Sequence, residues 1–120
     1  MSMETVAMVN KRCEDHVAAL AGLLTSPIRI AIVDQLLKGP CIVGDLATAV
    51  EAEQAVISKQ IGILRNAGLL VCQPKGRIRI YSLYDSESVG RLMTTLRETA
   101  KRASIQAAVC KKAAKQKTQE

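Results

Sequence analysis

Five cations and no carboxylate occupy residues 54–84: Lys59, Arg65, Lys75, Arg77 and Arg79. A window of that length without Asp or Glu presents positive charge with nothing local to cancel it, and such a surface attracts phosphates. The 120-residue chain carries +6 overall, but the bulk charge is a property of its end. Residues 101–120 hold six Lys or Arg against one Glu, while residues 1–100 hold eleven basic and ten acidic side chains. The acid-free window is therefore the more informative signal. The other reactive side chains are four widely spaced thiols, Cys13, Cys41, Cys72 and Cys110, and one imidazole, His16. No two cysteines form a C-x-x-C pair, and His16, beside Asp15, reads as a surface residue. There is no nucleophile elbow, no Gly-rich phosphate loop and no metal-ligand cluster, and a lone His among scattered carboxylates offers no acid–base pair. The chain reads as a binding protein, not an enzyme.

The elements that must position these residues are legible from periodicity. Residues 4–24 predict a helix, with Val6, Val9, Cys13, Val17, Leu20 and Leu24 at three-to-four-residue spacing. Ser26 as N-cap and Pro27 at the first helical position start a second helix. Its apolar residues Ile28, Ile30, Ala31, Ile32, Val33, Leu36 and Leu37 run nearly all the way round, so it is expected to be central and to end at Gly39-Pro40. A short helix follows over 43–50 with Leu46, Ala49 and Val50 inward, then a turn at 51–53. A fourth helix carries an inward stripe of Ile57, Ile61, Leu64 and Gly68, with Gly68 as the left-handed residue that closes it. Leu69–Gln73 and Ile78–Tyr84 predict a hairpin turning at Pro74-Lys75-Gly76-Arg77, with Arg77, Arg79, Tyr81 and Leu83 on one face. Asp85 or Ser86 caps a long last helix whose expected buried positions are Val89, Leu92, Met93, Leu96, Ala100, Ala103, Ala107 and Cys110. From Lys111 onward the sequence KKAAKQKTQE predicts a solvated, frayed end. No run of eighteen apolar residues is present, and the N-terminus lacks the basic start of an export signal. The expectation is a cytoplasmic protein with reduced thiols and no membrane association.

Helix, helix, short helix, turn, helix, hairpin, long helix is the order of a winged helix-turn-helix, mainly α with a small β-hairpin, with helical additions at both ends. In such a fold the second helix of the motif lies in the major groove and presents hydrogen-bonding side chains to base edges. Gln54, Ser58, Lys59 and Gln60 suit that use, Gln being able to donate and accept toward adenine, while Ala55 and Gly62 permit close approach. Arg65 lies at the edge of that face. Lys75, Arg77 and Arg79 on the hairpin reach flanking phosphates or the minor groove. A solvated helix beside a solvated hairpin is the plainer reading, since Lys and Arg occur on any surface. An acid-free window spanning both elements favours double-stranded DNA.

Four stretches carry a family resemblance: Ser26-Pro27-Ile28-Arg29; Val43-Gly44-Asp45-Leu46-Ala47; Ile57-Ser58-Lys59-Gln60-Ile61-Gly62-Ile63-Leu64-Arg65-Asn66-Ala67-Gly68-Leu69; and Gly76-Arg77 followed after three residues by Tyr81-Ser82-Leu83. In this order and spacing, over residues 15–100, the chain resembles the arsenical-resistance repressor (ArsR/SmtB) family. The resemblance implies a homodimeric repressor on a palindromic operator, paired through its first and last helices. The apolar stripes of the two terminal helices fit that pairing. The family's common His in the recognition helix is replaced by Gln60. Residues 1–110 are expected to form the DNA-binding and dimerisation domain and residues 111–120 a basic tail.

The resemblance also frames what is sensed. The family's Cys-Val-Cys-Asp-Leu metal motif corresponds to Ile42-Val43-Gly44-Asp45-Leu46, without either thiol, and the last helix has Asp85, Glu87 and Glu98 but no His, which disfavours a zinc, nickel or cobalt site there. By resemblance, Cys13 and Cys41 form a split soft-ligand site between subunits for arsenite or cadmium as inducer, or Cys13 and Cys110 meet at the dimer interface. Either pair could instead be oxidised or persulfidated. No cofactor is required. Each Cys also has a plainer reading as a small buried hydrophobe, strongest for Cys72. The alternative function is a repressor of the same fold with no thiol chemistry, answering to a small organic ligand, a partner protein or no inducer.

Overall fold

The computed structural model describes residues 12–119, together with Met3. Among residues 12–119, five helices and one hairpin follow in order: α1 Cys13–Leu23, α2 Pro27–Lys38, α3 Val43–Val50, α4 Gln54–Asn66, β1 Leu70–Lys75, β2 Ile78–Leu83 and α5 Ser86–Gln119. Residues 4–11 of the predicted opening helix, with Val6 and Val9, lie outside the described residues. The chain divides into two compact units, one ending at Tyr84 and one beginning at Asp85.

In the first unit α2 is the central helix. Ser26 Oγ accepts from Arg29 N at 3.4 Å and Pro27 occupies the first helical position, as its sequence dictates. Ile32, Val33 and Leu36 are buried, and its other apolar residues are half-buried. Leu46 and Ala47 of α3, Ile57, Ile61 and Leu64 of α4, and Leu70, Tyr81 and Leu83 of the hairpin complete this unit's buried set. With no Phe or Trp in the chain, branched aliphatic packing does nearly all of this, each buried Leu or Ile contributing about 1.5–3 kcal/mol. One expectation on α3 is corrected: Ala49 is exposed and Ala47 is buried. The helix has only two turns, and Ala47 rather than Ala49 lies on the side of Leu46 that is covered.

The hairpin pairs Leu70 with Leu83 and Cys72 with Tyr81, and its strands run on to pair Pro74 with Arg79 and Lys75 with Ile78. The turn is thus tighter than predicted, with only Gly76 and Arg77 between the strands, Gly76 at φ 64°. Pro74 is tolerated inside β1 because that strand's other edge has no strand partner among the described residues. Tyr81 and Leu83 take the inward face, which the imperfect alternation of this strand left open. Arg79 shares that alternation but lies past the end of the covered strand and is exposed.

The second unit is α5. Asp85 Oδ1 accepts from Ser88 N at 3.0 Å and so caps it. Helical structure runs through to Gln119, where the sequence predicted fraying from Lys111; Ala, Lys and Gln dominate this end and all favour helix. Val89 and Met93 are buried and Leu92 is half-buried. The remaining expected positions, Leu96, Ala100, Ala103, Ala107 and Cys110, are exposed in the single chain. The apolar stripe continues for more turns than one protomer buries. Among the described residues no single helix is long and apolar enough to cross a membrane. Together α1 and α2 reach that hydropathy only across a 94° bend, and α2 belongs to the core.

Candidate nucleic-acid interface

The turn between α3 and α4 sets how α4 is presented. Glu51 closes α3 in the left-handed region at φ 60°, with Glu51 N donating to Thr48 O and Ala52 N to Ala47 O. That is the double hydrogen-bond pattern usually built around Gly at this position. At the other end of α4, Gly68 at φ 85° does the same job: Gly68 N donates to Arg65 O at 2.9 Å and Leu69 N to Leu64 O at 3.1 Å. Between these stops, Ile57, Ile61 and Leu64 are at 0–2% exposure, so the helix cannot roll without uncovering them. The roll leaves Gln54, Ala55, Ser58, Lys59 and Arg65 exposed, with Gly62 half-buried. The Gln54 amide lies over α3, its Nε2 3.7 Å from where a Cβ on Gly44 would be. Lys75, Arg77 and Arg79 on the hairpin are exposed as well. All five cations of the acid-free window are therefore on the surface.

Gln60 is placed differently from its neighbours. It is half-buried, and its Oε1 accepts from Arg29 Nη1 at 3.0 Å. Arg29 also donates through Nε to Leu23 O at 2.7 Å and through Nη2 to Gly22 O at 3.5 Å. One guanidinium thus satisfies carbonyls at the end of α1 and holds a side chain of α4. Arg29 stands out in the Ser26-Pro27-Ile28-Arg29 stretch, but its partner is 31 residues away, beyond the reach of any local pattern.

The thiols are dispersed. Cys13 on α1 and Cys110 on α5 are exposed, while Cys41 and Cys72 are half-buried. Cys41, just before α3, is joined to the hairpin: Cys41 N donates to Tyr81 O at 3.0 Å and Tyr81 N to Cys41 O at 2.8 Å. Tyr81 pairs with Cys72 on its other side, so Cys41, in an isolated bridge, and Cys72, in β1, lie on either side of one tyrosine. Two strand spacings, about 9.6 Å, separate such residues, too far for a disulfide without backbone movement. Burial, and then the Asp45 carboxylate, push the Cys41 thiol above its ordinary pKa, and its Sγ lies 3.5 Å from Gly39 O as a weak donor. Among the described residues, no three His, Cys, Asp or Glu side chains gather to hold a metal ion.

Residues 26–70, from the cap of α2 to the first residue of β1, match the family described as bacterial regulatory protein, arsR family. The HTH-type transcriptional regulator NmtR of Mycobacterium tuberculosis is 41% identical over 80 residues, covering 67% of each chain. The chain belongs to the arsR family. Its described fold agrees: the solution structure of apo-NmtR superposes at TM-score 0.62 with 37% identity, covering 75% of this chain and 76% of that one. A homodimeric winged helix-turn-helix DNA-binding domain from Mycobacterium bovis superposes at 0.66 with 25% identity, covering 86% and 90%. Membership of the arsR family makes the chain a winged helix-turn-helix transcriptional regulator, with α3 and α4 as the helix-turn-helix and the β1–β2 hairpin as the wing. The chain spans 67% of NmtR and 65% of the M. tuberculosis regulator CmtR, a second relative at 38% identity.

Proposed function

We propose that this arsR-family chain is a homodimeric, cytoplasmic repressor that binds a palindromic DNA operator and releases it on a thiol-directed signal. The observation that carries the reading is the acid-free window 54–84, whose Lys59 and Arg65 on α4 and Lys75, Arg77 and Arg79 on the wing are all exposed. Ser58 and Gln54 supply hydrogen bonds to bases between those cations. A second copy is the occupant that suits the exposed apolar residues Val17 of α1 and Leu96, Ile105 and Val109 of α5. Residues 1–110 carry both functions. Residues 111–120 add exposed Lys111, Lys112 and Lys115 on the same helix.

For sensing, both leading thiols lie on elements bonded to the DNA-reading parts. Cys41 is bonded through its backbone to Tyr81, two residues from Arg79, and Cys13 is on α1, whose end Arg29 ties to α4. Soft ligation by arsenite or cadmium, or oxidation or persulfidation, at Cys13 with Cys41, or at Cys13 with Cys110 across a dimer, would shift the spacing of the two recognition helices. A coupling of about 3 kcal/mol releases DNA more than a hundredfold. Burial and the Asp45 carboxylate raise the Cys41 thiol above its ordinary pKa and so lower its share of reactive thiolate. The alternative, a repressor without thiol chemistry, is the other outcome of the experiment below. No reaction is assigned to the protein.

Fluorescence anisotropy with a duplex from upstream of its own gene, under reductant and then with arsenite, cadmium or mild oxidant, tests both parts. Tight, salt-dependent binding lost on treatment and retained by Cys41→Ser or Cys13→Ser is expected. Binding indifferent to every treatment would leave the repressor and remove its thiol switch. Absence of sequence preference would remove the repressor.

A further inference from the structure

The Arg29–Gln60 pair bears on which bases the recognition helix accepts. A guanidinium has donors only, so the amide facing it must offer its oxygen, and the orientation of Gln60 is settled by chemistry. The oxygen is engaged by a charged donor at 3.0 Å, and the two N–H donors remain on Nε2. Arg29 is itself fixed, because its Nε is bonded to Leu23 O at 2.7 Å and its stem belongs to the central helix. An amide held in this way cannot rotate to offer oxygen and nitrogen together without breaking a charge-assisted bond. The adenine signature, a donor beside an acceptor, needs both.

We infer that Gln60 enters the DNA contact as a hydrogen-bond donor, that Arg29 is the positioning residue that makes it one, and that the base it meets is guanine, whose O6 and N7 are adjacent acceptors. This rests on the proposed reading of α4 as the groove-entering helix and adds a base preference to it. It also replaces the donor-and-acceptor role toward adenine that Gln has when its amide is free.

The test starts from duplexes that the wild-type protein selects from a randomised library, followed by anisotropy on duplexes carrying every base at each half-site position. Three proteins are compared: wild type, Gln60→Glu and Arg29→Met. The carboxylate introduced by Gln60→Glu keeps an acceptor for Arg29 but has no N–H. The thioether introduced by Arg29→Met keeps a stem of similar length and frees the amide. Wild type is expected to favour guanine over adenine by about tenfold at one half-site position. Gln60→Glu should lose that preference there and nowhere else. Arg29→Met should bring guanine and adenine to within about threefold, a change in base profile that lost folding stability alone would not produce. Because Arg29 also bonds the end of α1, circular dichroism checks its fold, and Gln60→Glu decides the matter if Arg29→Met is unfolded. A Gln60→Glu profile superimposable on wild type would overturn the inference, as would a folded Arg29→Met with the wild-type profile or a wild-type preference for adenine at the position that Gln60→Glu alters. A uniform fall in affinity with the profile unchanged would make Gln60 a phosphate contact and overturn it too. If wild type selects no duplex, the DNA-binding reading itself fails, which the same data distinguish.

Discussion

Helices α4 and α5 are both amphipathic, yet they end in opposite conditions. α4 has its apolar stripe, Ile57, Ile61 and Leu64, at 0–2% exposure within its own unit, so what it leaves on the surface is polar and cationic. α5, 34 residues and about 51 Å long, leaves Leu96, Ile105 and Val109 at 39–57% exposure. A helix whose apolar side is already satisfied can offer its other face to a charged ligand. A helix whose apolar side is not satisfied asks for more protein. The contrast underlies the proposal that the α4 face meets DNA and the α5 face a second copy.

The strongest way to break the contrast is to make α5 polar. Leu96→Asp with Ile105→Asp is expected to yield a monomer by light scattering and to weaken operator binding by about a hundredfold or more, since two linked half-site contacts become one. The same charge change at an exposed α4 position should leave the mass unchanged. Next in size, Lys59→Ala or Arg77→Ala should weaken binding about tenfold with the dimer intact. Each should reduce the slope of log affinity against log salt by about 0.9 for every phosphate released, and an unchanged slope would remove that residue from the surface. Gly62→Ala separates stability from binding on α4. A Cβ there meets nothing within 4 Å, so stability from urea unfolding should rise by about 1 kcal/mol, while a methyl group on the DNA side lowers operator affinity. The smallest effect concerns the turn before α4: Glu51→Gly should stabilise the fold by about 0.5–1 kcal/mol by relieving a left-handed non-glycine residue, without altering base preference.

Cys41 supplies a pH prediction of the same kind. Its raised pKa means the folded state prefers the protonated thiol. That contribution to stability is absent below the ordinary thiol pKa, where both states hold the proton, and turns unfavourable as pH rises toward the raised folded value, because the unfolded chain releases its proton first. Iodoacetamide at mildly alkaline pH should therefore alkylate Cys41 more slowly than exposed Cys13 or Cys110, with the gap closing as pH rises, read by peptide mass spectrometry. Equal rates would remove the protection assigned to Cys41.

Much of this molecule is legible in its sequence. The Ser26-Pro27 start, the Gly68 stop, the hairpin and the Asp85 cap are local devices, each written in a few adjacent residues, and they are found where expected. The departures have causes that no short stretch contains. Periodicity turns Ala49 inward because a two-turn helix has too few residues to define a stripe. It draws the hairpin turn too long because Pro74 reads as a strand breaker until β1 is known to be an edge. It ends the last helix near Lys111 because solvated residues look like frayed ones.

In the candidate site the same division holds. That residues 54–84 carry cations and no carboxylate is a property of composition and spacing, and periodicity alone is enough to turn Lys59 and Ser58 away from Ile57 and Ile61. Which side chains are free to use that surface is decided only in three dimensions. Gln60 is spaced like a base-reading residue, but Arg29 reaches it from 31 positions away and occupies its oxygen. Cys41 and Cys72, unrelated in sequence, come to flank Tyr81 because the segment before α3 adds to the edge of the wing. Local periodicity reports which face a residue takes. Hydrogen-bond partners across elements depend on how the packed helices and strands are set against one another, and no short pattern in the chain encodes that.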